Sequence, residues 1–101
     1  MPTLYVTEFP SAAVDQGRAM PVAFAGTEVT QIVTISGAST PTIAFAETTR
    51  LVRLHTDSIC SIKFGTNPTA STSTARMAAN QTEYFAVQPG GGMKVAVITN
   101  T

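Results

Sequence analysis

The chain's single histidine, His55, is the residue with the most informative possible chemistry. Asp57 follows two positions later, and the only cysteine is Cys60. A nucleophilic triad joins a histidine to a serine or cysteine and to a carboxylate. On a continuing strand Asp57 would share a face with His55, whereas Cys60 would lie beyond a tight hairpin and point elsewhere. This pattern favours a structural His55, paired with Asp57 or exposed, and it predicts no catalytic residue.

Other patterns that carry chemistry are equally weak. No spacing selects the pair of carboxylates that glycoside hydrolysis requires, and one His with one Cys gives no zinc ligand set. The glycines at 90–92 precede a predicted strand, so they indicate a hairpin turn and not a phosphate loop at a helix N-terminus. We therefore expect no enzyme activity, no cofactor and no metal site. The dispersed acids are Glu8, Asp15, Glu28, Glu47, Asp57 and Glu83.

Charge and hydropathy exclude further classes of protein. The 101 residues include six Lys or Arg and six Asp or Glu, whereas a nucleic-acid binder needs a basic stripe. Arg50 and Arg53 lie three apart, so on a strand they face opposite sides and build no joint patch with Lys63. No apolar run approaches the ~18 residues of a membrane span. The start of the chain shows no secretory signal pattern. We expect synthesis in the cytoplasm, with neither nucleic acid nor membrane as a partner.

Short alternating segments dominate the chain. They are rich in Val, Ile, Thr, Tyr and Phe and are bounded by Gly, Pro, Asn or Ser, as strands are. The best helix candidates, 12–16 and 74–78, are too short to be stable without packing. The pattern predicts a single all-β domain over 1–101, an antiparallel β-sandwich of jelly-roll type with seven or eight strands. The predicted strands are 4–7, 29–35, 42–46, 50–56, 60–64, 82–87 and 93–99.

Three segments are predicted to make contact with other molecules. They are an N-terminal arm at 1–8 and two long loops of low charge, 9–28 and 65–81. Loops longer than ~12–15 residues are usually functional or mobile, and small hydroxyl and methyl side chains suit flat contact. The predicted contact residues are Leu4, Tyr5, Phe9, Pro10, Met20, Pro21, Phe24, Pro68, Arg76 and Met77.

Several predicted strands also carry apolar residues on their weaker face. Ile32, Leu51 and Tyr84 lie opposite the stronger apolar side, as do Ile59 and Ile98. A monomer with so few charges and two-sided apolar strands would risk association. Either the domain covers both faces itself or a partner subunit covers one, and the second option predicts a component of an assembly.

Three stretches of the sequence resemble small proteins encoded among the structural genes of tailed bacteriophages. They are residues 50–68 (RLVRLHTDSICSIKFGTNP), 76–85 (RMAANQTEYF) and 94–98 (KVAVI). The resemblance brings no catalytic residue with it. It implies a virion protein of the capsid cement or decoration type, which binds the major capsid protein on the outer surface of the head. Such a protein would be made in the cytoplasm of the host bacterium.

The resemblance leaves the location and the oligomeric state open. Cement at a symmetry axis must match that axis, so we expect a homo-oligomer, either a dimer or a trimer. One alternative is a tail or head-fibre module that binds a glycan or host surface, for which only Phe9 and Phe24 offer aromatic rings in loops. A small hydrolase would need His55 and a carboxylate to converge in a pocket.

Overall fold

The structure, a computed structural model, describes residues 2–10, 12–15, 18–23 and 29–101, with the backbone alone at 12–15, 18–23 and 29. The described residues form strands and no helix, which confirms the predicted all-β class. None of them forms a helix long and apolar enough to cross a membrane. The strands are β1 (Thr3–Phe9), β2 (Ala12–Asp15), β3 (Arg18–Ala23), β4 (Val29–Thr34), β5 (Thr40–Pro41), β6 (Leu51–Thr56), β7 (Cys60–Gly65), β8 (Ala75–Met77), β9 (Thr82–Ala86) and β10 (Lys94–Thr99).

Two antiparallel four-stranded sheets pack as a sandwich, as predicted. Sheet 1 has the order β4-β1-β6-β9 and sheet 2 the order β5-β10-β7-β8, while β2 and β3 pair only with each other. From β4 onward the chain passes from one sheet to the other at every connection except that between β7 and β8. Eight strands connected in this alternating way are typical of a jelly roll.

The core lies between the two sheets and is built by alternation along each strand. Leu4 and Val6 of β1 and Val52 and Leu54 of β6 have no exposed surface, and their alternate neighbours point outward. Phe64, Phe85 and Met93 pack against this core in partly buried positions. The stronger apolar side of β6, which lies opposite Leu51, thus faces the core as predicted. The buried cluster is Leu4, Val6, Val33, Ile35, Phe45, Val52, Leu54, Cys60, Ile62, Met77, Val87, Val95 and Val97.

Two connections predicted as hairpins are corners between the sheets. β6 and β7, joined by residues 57–59, lie in different sheets, and so do β9 and β10. In the second corner Gly90 and Gly92 have φ angles of 74° and 66°, so the glycines supply positive φ as expected. A tight turn between two alternating strands does not itself decide whether those strands pair, because the same turn also lets the chain cross the core.

The predicted N-terminal arm at 1–8 is corrected by the structure. Residues 3–9 form β1, which pairs with β4 on one side and β6 on the other. Leu4 is fully buried. The alternating Leu4 and Val6 make this segment an inner strand of sheet 1, because an apolar side of that kind is most stable in the core.

The predicted loop at 9–28 contains a hairpin. β2 pairs with β3 in a register that aligns Val14 with Ala19 and Asp15 with Arg18. The helix candidate at 12–16 is therefore wrong over 12–15. A single helical turn fixes several dihedral angles for one hydrogen bond, whereas pairing with a neighbouring strand satisfies more backbone groups.

The predicted loop at 65–81 is also only partly a loop. Its residues Ala75–Met77 form β8 and pair with β7, so the helix candidate at 74–78 is wrong over 75–77. Residues 66–74 lie over the outer face of sheet 2. The Ala70 backbone N–H donates to Ser39 Oγ at 2.9 Å, and Asn100 Nδ2 donates to Thr72 O at 3.2 Å and to Ser61 Oγ at 2.6 Å.

This loop covers part of sheet 2. Ser61 and Ala96 point away from the core on neighbouring strands, yet neither has any exposed surface. Pro68 and Ala70 of the loop are buried as well. The small uncharged side chains that suggested contact with another molecule are used in this segment for contact with the chain's own sheet.

The segment 42–46, predicted as a strand, is irregular. The Thr42 N–H donates to Val95 O at 2.9 Å and the Phe45 N–H donates to Met93 O at 2.8 Å. Thr42 and Phe45 are buried, whereas Ile43 is 75% exposed. Glu8 gives the physical reason, because its Oε1 accepts hydrogen bonds from the Ala46 N–H and Thr49 Oγ1, both at 2.8 Å. This buried carboxylate holds residues 46–49 away from a regular ladder.

Candidate functional site

The two outer faces of the sandwich differ in how they are covered. The loop 66–74 covers part of the outer face of sheet 2, as described above. The outer face of sheet 1 carries the residues that alternate with the core: the odd positions of β1 and β6 and the even positions of β4 and β9. This second surface holds most of the exposed large apolar side chains.

The register of sheet 1 arranges these side chains in two adjacent rows. One row crosses β4, β1, β6 and β9 as Ile32, Tyr5, His55 and Thr82; the next runs Thr30, Thr7, Arg53 and Tyr84. Ile32 is 68% exposed, Tyr84 50% and Tyr5 37%, and in the described part of the chain only Ile43 joins them as an exposed large hydrophobic residue. We call the surface formed by Tyr5, Ile32, Arg53, His55 and Tyr84 the open face.

His55 is a packed member of the open face. Its Nδ1 lies 2.7 Å from Thr82 Oγ1 on the neighbouring strand. Its ring lies 6.2 Å from the Tyr5 ring, centroid to centroid, at an interplanar angle of 41°. Asp57 is not the hydrogen-bond partner of His55, since its Oδ1 accepts a hydrogen bond from the Thr3 N–H at 2.7 Å. The structural role predicted for His55 therefore has Thr82 as its partner, a residue that sequence reasoning missed because β6 and β9 are distant in the chain.

Cys60, the first residue of β7 in sheet 2, points into the core. It has no exposed surface, and its Sγ lies 3.6 Å from Thr56 Oγ1. Burial raises the pKa of the Cys60 thiol, so the nucleophilic thiolate is disfavoured. Among the described side chains, no three of His, Cys, Asp and Glu gather closely enough to hold a metal ion. His55, Asp57 and Cys60, the residues that suggested a triad, do not converge.

A second surface feature is a row of cations on the outer face of sheet 2. Lys63 aligns with Ala96, two positions from Lys94, and Ser61 aligns with Arg76. Lys94, Lys63 and Arg76 therefore form a diagonal row across β10, β7 and β8, which we call the cation row. The four strands of sheet 2 contain no Asp or Glu. Arg53 lies on the opposite side of the sandwich, so the Arg53–Lys63 patch rejected from the sequence does not form.

The predicted contact residues have different positions in the structure. Tyr5 lies on the open face, Arg76 is exposed in the cation row, and Pro10 is half-buried. Four others are buried within the domain and are unavailable on its surface: Leu4, Phe9, Pro68 and Met77. Three lie outside the described side chains: Met20, Pro21 and Phe24.

Sequence reasoning did not place Ile32, Tyr84 and Arg53 together on one surface. The signal was present for two of them, because Ile32 and Tyr84 stand on the weaker apolar side of their strands. Their convergence with Tyr5 depends on the strand order of sheet 1, which alternation along single strands does not specify. No protein-family model, curated protein or solved structure matches this chain.

Proposed function

We propose that this protein is a non-enzymatic structural subunit of a bacteriophage virion, a capsid cement protein whose open face docks on the major capsid protein of the assembled head. The observation that carries the proposal is the open face itself. Ile32 and Tyr5 lie exposed on neighbouring strands, and Tyr84 lies two strands from Tyr5 in the next row, beyond His55 and Arg53. Exposed apolar surface rimmed by polar side chains in this way marks interaction sites in soluble proteins.

The side-chain types suit a protein interface. Tyrosine and arginine are enriched at the energetic centres of interfaces, because they offer a large contact area with a polar end. On the open face Arg53 is directly opposite Tyr84, and His55 is already held by Thr82. Fully burying an exposed isoleucine side chain contributes about 1.5–3 kcal/mol, and Ile32, which is 68% exposed, would gain most of this on binding.

The resemblance to phage structural proteins involves the same part of the fold. The stretches 50–68 and 76–85 contain the whole of β6 and the first four residues of β9. These strands carry Arg53, His55, Thr82 and Tyr84 of the open face and its surroundings. The sequence feature and the surface feature therefore support one proposal.

Cement of this type acts by mass action. A protein that binds the assembled shell and not its free subunits shifts the equilibrium toward the shell. Because the proposed contact is mainly apolar and aromatic, its affinity should weaken little as ionic strength rises.

The test is binding of the purified protein to heads that lack it. Wild-type protein should bind and should raise the resistance of the heads to heat and low salt. Ile32→Ser should weaken binding at least tenfold, whereas Ile43→Ser, which removes a similarly exposed isoleucine outside the open face, should leave it unchanged. Absence of binding, or unchanged resistance of the heads, would refute the proposal.

A second candidate function is a glycan-binding module of a tail or head fibre. Of the two predicted loop aromatics, Phe9 is buried and Phe24 lies outside the described residues. Tyr5 and Tyr84 offer exposed rings on the open face. Retention on a glycan array that Tyr84→Ser abolishes, together with no binding to heads, would favour this function over the first.

A further inference from the structure

The strand β9 forms one edge of sheet 1 and has an unpaired side. Its ladder with β6 includes hydrogen bonds from the Val87 N–H to Arg50 O and from the Thr56 N–H to Gln81 O. In an antiparallel ladder such bonded pairs alternate, so the odd residues of β9 direct their N–H and C=O groups toward β6. The even residues Thr82, Tyr84 and Ala86 direct theirs outward, and no described residue outside β6 pairs with the strand.

The spacing of these outward groups is symmetric about Tyr84. If a second copy of β9 is placed antiparallel with the two Tyr84 residues opposite each other, Thr82 of each copy faces Ala86 of the other. All three positions then become hydrogen-bonded pairs, because they are two residues apart and share one orientation. Every outward N–H and C=O of residues 82, 84 and 86 is satisfied in both copies at once.

The same register suits the side chains and charges. The two Glu83 carboxylates are not placed opposite each other, since Glu83 of one copy faces Phe85 of the other. Like charges directly opposite across strands would be destabilising. Phe85 already packs on Phe64, with ring centroids 4.9 Å apart, and on the outer face the two Tyr84 rings become neighbours.

The other edges of the two four-stranded sheets are less suited to pairing with another copy. β5 has two residues and β8 has three. The edge strand β4 is flanked by the irregular segment 42–46, because Gln31 of β4 accepts a hydrogen bond from the Ile43 N–H at 3.1 Å through Oε1. Of the edge strands in the two four-stranded sheets, β9 is thus the longest without such a neighbour.

We propose that two copies of this chain pair through β9 in the Tyr84-centred register and form a two-fold dimer with a continuous eight-stranded sheet. Isologous contacts of this kind generate closed dimers. The pairing is continuous with the open face, so the dimer presents two open faces side by side and would dock on a repeating surface with two contacts instead of one. It is independent of what the open face binds, and its test uses the free protein alone.

Cysteine trapping tests the register. In the proposed dimer the two Tyr84 Cα atoms form a hydrogen-bonded pair, ~5.5 Å apart, which is within disulfide range. Tyr84→Cys should give a disulfide-linked dimer at least tenfold faster than Ile32→Cys, the central residue of the other edge of sheet 1. The native Cys60 is fully buried and does not compete.

A mixing experiment makes the test specific. Thr82→Cys alone should not cross-link, because the two copies of residue 82 lie four positions apart, ~13 Å along the strand. An equimolar mixture of Thr82→Cys and Ala86→Cys should form the heterodimer. Equal rates for Tyr84→Cys and Ile32→Cys, or cross-linking of Thr82→Cys with itself, would overturn the proposal.

A non-covalent readout accompanies the trapping. Pairing through a five-residue edge buries less area than the ~800 Å² per partner of a standard stable interface. We therefore expect a weak dimer, which has to be measured in concentrated protein. Sedimentation velocity should show the dimer fraction rising with concentration for wild type and falling at least fivefold for Ala86→Pro. That proline removes an outward N–H and none of the bonds to β6. A wild-type protein that remains monomeric at the highest soluble concentration contradicts the dimer.

Discussion

At the scale of single residues, Glu8 is a carboxylate that serves as a buried hydrogen-bond acceptor. Its side chain is only 4% exposed. Oε1 accepts from the Ala46 N–H and Thr49 Oγ1, and Oε2 accepts from Gln31 Nε2 at 2.9 Å. Three donors satisfy the two carboxyl oxygens in place of water. The acid therefore ties the segment 46–49 to the inner side of β1 and β4.

Replacing Glu8 by Gln should destabilise the fold by about 1–3 kcal/mol, the range for hydrogen bonds to charged groups and for buried groups left unsatisfied. The amide can accept from Thr49 but presents an N–H₂ group to the Gln31 donor. The measurement is the urea midpoint of the variant against wild type. Glu47→Gln is the control, because Glu47 is exposed on the same segment and should change stability by less than about 0.5 kcal/mol.

Cys60 gives a prediction about pH. Burial raises the pKa of its thiol above the ordinary value of 9.0, and the hydrogen bond to Thr56 opposes this shift. The folded state therefore holds the thiol proton more tightly than the unfolded chain does. This contribution to stability is fully present below pH 9 and is lost as pH rises from there through the folded-state pKa.

The free energy of unfolding, followed by urea titration between pH 8 and pH 10.5, should fall more steeply for wild type than for Cys60→Ala. The alanine variant is less stable at every pH because it leaves a cavity, so the slopes are compared and not the absolute values. Parallel slopes would show that Cys60 ionises with equal ease in the folded and unfolded chains.

At the scale of elements, alternation predicts a strand well where one side of that strand faces the core. The predicted segments 29–35, 50–56, 60–64, 82–87 and 93–99 agree with β4, β6, β7, β9 and β10 to within one residue at each end. The pattern failed at 42–46, where the buried Glu8 determines the backbone path. It failed at 12–15 and 75–77 because those strands are short and gain their stability from a partner strand.

The candidate site was less accessible to sequence reasoning than the strands were. Alternation identified Ile32 and Tyr84 as members of a second apolar side, but their meeting with Tyr5, Arg53 and His55 depends on which strands are neighbours. That order is set by contacts distant in sequence, such as the pairing of β1 with β4 and with β6. The covering of part of sheet 2 by the loop 66–74 was also not indicated by any local pattern.

The corner between β9 and β10 gives a prediction about how backbone conformation affects stability. Gly92 has a φ of 66°, where a side chain is strained even though an added Cβ would meet open space. Gly92→Ala should therefore destabilise the fold by about 1 kcal/mol. Gly37 also has open space but no positive φ. Gly37→Ala should be neutral or stabilising by about 0.4–1 kcal/mol, because it restricts the unfolded chain. Thermal or urea unfolding of both variants compares the two sites, and equal losses would contradict the conformational explanation.

At the scale of the whole molecule, a net charge of zero conceals a separation of charge. Half of the six basic residues form the cation row of sheet 2, and none of the six acids belongs to a strand of that sheet. The strand spacing of ~4.8 Å and two residues along the strand place neighbours in the row ~8 Å apart. This distance is about one Debye length at physiological salt, so the three cations repel one another without a carboxylate from their own sheet to offset them.

The charge of Lys63, the middle cation, therefore destabilises the folded state of the isolated protein. Lys63→Gln should raise the free energy of unfolding by a few tenths of a kcal/mol at ~10 mM salt, the magnitude of one adjacent like-charge pair. The gain should disappear at ~1 M NaCl, where the Debye length falls to ~3 Å. Arg50→Gln is the matched control, since Arg50 is exposed before β6 and outside the cation row. A gain for Lys63→Gln that persists at high salt would mean that side-chain packing, and not charge, distinguishes the two variants. A gain confined to low salt and absent from Arg50→Gln would identify repulsion within the cation row as its cause.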